Sequence, residues 1–129
     1  MTIDIIVWRH LVEDAIRSIA DESMQRKAWF GFGPEVSSPS EVINGFYSDA
    51  AIENFLDRDD NGLNQQQLAA GQRLYQLMEK FMEQIPKYPK PESVIDNPQW
   101  NEIRNAASQF LDLLVDDRPP FIWPGPPDC

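Results

Sequence analysis

Apolar side chains recur near the start of the chain at three- and four-residue steps: Ile5, Trp8, Val12, Ala15, Ile16 and Ile19. An α-helix turns once in about 3.6 residues, so this spacing gathers them on one face. Leu11 widens the stripe, whereas Arg9, Glu13, Asp14 and Arg17 fall largely off it. A first helix is expected over residues 4–21, with its period carried on to Phe30 by Met24 and Ala28. Gly31, Gly33 and Pro34 then end the helical reading.

Ser38-Pro39-Ser40-Glu41 is the next start signal. Ser38 can accept from free backbone amides, Pro39 suits the first helical position, and Glu41 completes a capping box. Val42, Ile43, Phe46 and Tyr47 supply an apolar face, and Gly45 with Ser48-Asp49 predicts a split into two short helices. The second carries Ile52, Phe55 and Leu56 up to the polar break at residues 57–62. Asn64, with Gln67 as capping-box partner, opens the longest helix, whose stripe is Leu68, Gly71, Leu74, Met78, Phe81 and Ile85. Pro86, Pro89 and Pro91 stop it, because proline lacks the donor a helix needs. A single turn is expected around residues 92–95. Asn97-Pro98 then starts a last helix with the stripe Trp100, Ile103, Ala107, Phe110, Leu111 and Leu114.

No strand-like alternation persists, so the pattern predicts an all-α, single-domain bundle of four to six helices over residues 1–118. Residues 119–129 hold five of the 11 prolines and read as an extended tail. The triplet Phe121-Ile122-Trp123 is adhesive in water, and the expectation is that it docks on the domain, with Trp123 as its anchor.

At 129 residues the chain has the length of one core, and 42% hydrophobic with 25% charged residues is ordinary globular usage. A formal charge of −10 speaks against nucleic-acid binding, which draws its affinity from cations on phosphates. The lone Cys129 excludes an internal disulfide and a Cys-based zinc site, and one His excludes chemistry that needs two imidazoles. Arg9 and His10 interrupt the apolar start before a signal sequence can form, and no run is long enough to span a bilayer. A cytoplasmic protein without membrane contact is expected.

Residues 57–62, Asp-Arg-Asp-Asp-Asn-Gly, match the first half of an EF-hand loop. Position twelve, which must be a bidentate Glu, is Leu68, so no metal site is expected and the segment reads as a helix end and a turn with Asn61-Gly62 left-handed. His10 and Asp14 lie one helical turn apart but have no nucleophile motif beside them. Gly31-Phe32-Gly33-Pro34 lacks the Lys-Ser/Thr of a phosphate loop. Neither a catalytic constellation nor a cofactor motif emerges.

The candidate binding residues fall into groups. Asp49, Glu53 and Asp57, at i, i+4 and i+8, would align on one helix side, continued by Asp59 and Asp60. Such a stripe can dock a basic partner. Trp29 and Phe32 belong to an aromatic cluster that either seals the bundle end or lines a pocket. Gly71 sits on the inward stripe, where the close approach of a neighbouring helix or ring is the simplest compensation for its poor helix propensity. These features favour a small acidic, non-catalytic protein that engages a basic protein, a bacterial toxin-immunity protein being the concrete form. The alternatives are a ligand-binding or enzymatic domain with a pocket near Trp29 and Phe32, and a structural homo-oligomer subunit.

Overall fold

The computed structural model describes residues 4–33 and 36–116. Among them the chain is helical without strands: α1 (Ile5–Ala20), α2 (Glu22–Ala28), α3 (Pro39–Asn44), α4 (Ile52–Asp57), α5 (Gln65–Gln84), the single turn α6 (Pro91–Val94), and α7 (Pro98–Asp116). A π turn, Gly45–Asp49, links α3 to α4. The all-α bundle expected from the period is what the chain builds. The tail, with Trp123, lies outside the described residues.

The helix starts use the caps written in the sequence. Ser38 Oγ accepts from the Glu41 amide at 3.1 Å. Asn64 and Gln67 exchange the two bonds of a capping box, both at 2.8 Å. The stretch expected to run from residue 4 towards Phe30 is instead two helices. Asp21 leaves helical geometry at ψ 87° and turns its carboxylate onto the Met24 amide at 2.9 Å, so it ends α1 and caps α2. Gly31, at φ +76°, then lets the Phe32 amide reach back to the Lys27 carbonyl, closing α2.

α7 is the central element. α5 runs antiparallel to it, with Gln67 bonded to the Leu113 carbonyl at one end and Phe81 against Trp100 at the other. α1 lies on its other flank, where Arg9 donates to the Leu114 carbonyl at 3.1 Å. Gln67 and Arg9 thus serve carbonyls of the last helical turn, which have no partner within the helix. Trp8, Val12, Ile16, Leu74, Met78, Ile103, Phe110 and Leu114 fill the space between the three long helices.

Two features of the interior go beyond the apolar stripes. Gln25 is fully buried, donates to the Ser18 and Ile19 carbonyls at 2.8 Å, and accepts from Trp100 Nε1 and Arg104. Arg104 also donates to the Ile95 carbonyl and to Asn101, and burial holds its guanidinium below the ordinary value. Glu13, expected off the buried stripe, is only 3% exposed and pairs with Arg9 at 3.6 Å. Such groups are tolerated inside because their hydrogen bonds replace lost water.

Gly71 meets the close approach that its position implied. A Cβ there would stand 2.8 Å from Leu56 Cδ2 and 2.9 Å from Phe110 Cζ. Gly71→Ala gains about 1 kcal/mol of helix propensity but forces the buried Phe110 ring aside, an overpacking cost of about 1–3 kcal/mol. The variant is expected to melt a few degrees lower. Circular dichroism melting checks this, and an equal or higher midpoint would show that the ring moves freely.

Candidate functional site

A cleft of about 330 Å3 opens between α1 and the arm formed by α3 and the π turn. Its apolar surface comes from Leu11, Ala15, Met24 and Val42, and Asp14, Glu41 and Asp49 stand around it. A second opening, about 440 Å3, continues from it along α1 and shares Asp14, Ser18, Met24, Ser37 and Glu41. That extension adds Asp21 and the exposed Val36. Among the described residues, Arg17 is the one Lys or Arg lining either opening, and it is already paired with Asp14 at 3.0 Å. An apolar trough bordered by four carboxylates is the result.

The arm that walls the cleft is tied to α1 at its far end. Trp8 Nε1 donates to the Ala50 carbonyl at 2.6 Å, a buried bond between residues far apart in sequence. Ala51 follows in the left-handed region at φ 45°, a conformation that costs a non-glycine residue roughly 1–2 kcal/mol. The Ala50 amide closes the π turn onto the Gly45 carbonyl at 2.8 Å. On its far side the arm is fixed to α5, where the Tyr47 phenol donates to Glu79 at 3.0 Å and its ring meets that of Tyr75. Burial, then the Glu79 carboxylate, pushes the Tyr47 phenol well above its ordinary value. Tyr75, bonded to Glu79 and partly buried, is pushed up to about 12, with Glu53 adding in the same direction.

The expected acidic stripe is not continuous. Asp49, Glu53 and Asp57 would share a side only on one unbroken helix, and the left-handed Ala51 ends that register. Asp49 ends the π turn and lines the cleft, whereas Glu53 lies near the Tyr75 and Tyr47 phenols on the α5 side. Asp57 is exposed at the end of α4, and Asp59 is exposed in the following turn. Asp60 is held by Arg58 through two hydrogen bonds of 2.7 and 2.6 Å, which keep its carboxyl below the usual range. Arg58 itself lies over the Trp8 ring.

In the calcium-like loop, Asn61 turns inward and donates to the Phe55 and Leu56 carbonyls, ending α4, while its oxygen accepts from the Leu63 amide. Gly62 takes the left-handed conformation, and Asn61 does not. Among the described residues no group of three or more His, Cys, Asp or Glu is placed to hold a metal ion. No described helix is long and apolar enough to cross a membrane.

Trp29 and Phe32 part company. Trp29 is buried against Trp100, and its indole N–H has no partner among the described residues. Phe32 is 78% exposed just past the α2 cap. Neither borders the two openings described above. The stripe reading missed Asp14, Asp21, Met24 and Glu41, and the signal for them was Leu11, an apolar residue at the margin of the inner stripe.

No protein-family model matches the chain, and no curated protein or solved structure matches it either.

The raised Tyr75 value sets a direction for pH. A phenol held neutral in the folded state stabilises fully below its unfolded value near 10, and that contribution is lost as pH rises through about 12. Folding stability should therefore fall across this window. Glu79→Gln should bring part of the phenolate absorbance down towards pH 10, and superimposable titrations of the two proteins would contradict the assignment.

Proposed function

We propose that the protein is a non-catalytic binding protein that receives a cationic, partly apolar segment of another protein in the cleft between α1 and α3. The observation that carries this reading is the pairing of an apolar floor with four carboxylates, of which Asp14 is paired with Arg17, the one cation among the described lining residues, and Asp21, Glu41 and Asp49 remain to meet a partner. Apolar contact supplies affinity, and surrounding carboxylates steer a positive partner into register. The net charge of −10 adds long-range attraction of the same sign. Neutralisation of a basic toxin, as an immunity protein does, is the concrete form of this role.

Asp49 belongs to the site on this reading, joined by Asp14, Asp21 and Glu41. Asp57, Asp59 and Asp60 contribute only to the general field. A synthetic amphipathic peptide of Lys and Leu is a sufficient probe. Its association should slow with added salt, and Glu41→Lys/Asp49→Lys should slow it about ten-fold with unchanged helicity. Asp57→Lys/Asp59→Lys, equal in charge but outside the cleft, should have a smaller effect. Equal slowing in both variants would leave only a diffuse field, and an unchanged rate in the first would place binding elsewhere.

A further inference from the structure

The outward side of α1 carries a seam of its own. At about 100° of turn per residue, Val7 points within about 20° of Asp14 and Ser18 and about 40° from Leu11. Val7, Leu11, Asp14 and Ser18 follow one another at steps of four, three and four residues, the repeat by which one helix receives another. Leu11, Asp14 and Ser18 line the cleft, and Val7, 51% exposed, carries its floor one turn further. The core is filled from the other side of the helix, by Trp8, Val12, Ile16 and Ile19. From Val7 to Ser18 the seam is about 16 Å long, or three turns. Its free acids stand on one flank, Glu41 on α3 and Asp49 on the π turn. Little along it can serve a foreign main chain. The Ser18 hydroxyl donates to the Asp14 carbonyl at 3.2 Å, the Ser37 amide donates to the Ala28 carbonyl at 3.2 Å, and no strand among the described residues offers an edge. An extended peptide pressed onto this floor would strand its N–H and C=O groups away from water, whereas a helix satisfies its own.

We infer that the cleft receives an amphipathic α-helix of about three turns from the basic partner, lying along α1 with apolar residues on Val7, Leu11 and Ala15 and its cationic flank towards Glu41 and Asp49. The inference rests on the cleft reading and specifies the form of its ligand. A helix docked in a groove presents anchors at i, i+3 or i+4, and i+7, which is the spacing the seam of α1 repeats. Charge decides the partner. A second copy of a chain with a net charge of −10 would set like charges along the seam, so a foreign basic helix is favoured over self-association.

Two synthetic peptides test it on the full chain. One places Leu on a single helical face, with Lys and alanine elsewhere. The other is identical except that one central alanine is proline, which breaks the helix without changing the charge. The first should bind and gain helicity by circular dichroism as it does so, and the second should bind at least about ten-fold more weakly. Val7→Ser should weaken the helical peptide about five-fold and leave the melting of the protein unchanged, because Val7 is exposed. Ile6→Ser, also exposed but about 100° round the helix, should leave binding as it is. Equal affinity for the two peptides, binding without gained helicity, or a Val7→Ser variant that behaves like Ile6→Ser would overturn the inference. The cleft reading would survive any of these if Glu41→Lys/Asp49→Lys still slowed association. If neither peptide binds, the cleft reading falls and the inference with it.

Discussion

The indole of Trp8 bonded to the Ala50 carbonyl is the contact on which the rest of the architecture turns. It joins α1 to the junction where the π turn ends and the backbone passes through a left-handed alanine. A left-handed alanine persists only where its surroundings over-determine it. Here the indole bond, the buried Phe46 and Ile52 on either side, and the edge-on contact of Trp8 with Phe55 do so. The arm fixed there forms one wall of the trough whose other wall is α1. The same break sends Glu53 towards α5 and leaves Asp49 at the trough. One backbone conformation thus decides which carboxylates border the trough.

The second constraint is the treatment of polar groups at the ends and middle of α7. Gln67, itself part of the α5 capping box, and Arg9, paired with Glu13, both reach the terminal carbonyls of α7. Near its start, Gln25 ties α2 to Trp100 and Arg104. These groups fix the relative heights of the helices more narrowly than apolar stripes alone can, since losing one partner strands another in a dry interior. A cleft whose walls come from separate helices depends on such registration.

Elements governed by local chemistry were legible from the sequence. The α5 stripe and its Asn64–Gln67 box, the Ser38 cap and the single turn before Asn97 all follow from neighbouring residues, and the close approach at Gly71 follows from its place on the inward stripe, though its partners Leu56 and Phe110 do not. The breaks at Asp21 and Ala51 were not, and for different reasons. Asp21 interrupts a continuing apolar period by capping through its side chain, while an alanine carries no signal for left-handed geometry. Burial of Glu13, Gln25 and Arg104 escaped the pattern because their partners lie on other helices. The cleft was least legible of all: its two walls are some thirty residues apart, and its carboxylates look like ordinary solvated positions along each helix.

The central claim is that the Trp8–Ala50 bond holds the arm, and with it the cleft wall. Residue-resolved hydrogen exchange on the wild type and Trp8→Phe tests it most directly, since phenylalanine keeps an aromatic ring but has no donor. The account predicts at least about ten-fold faster exchange of protected amides in residues 42–57, with α5 and α7 little changed. Uniform acceleration through all the helices, or an arm whose protection is unaltered, would contradict it.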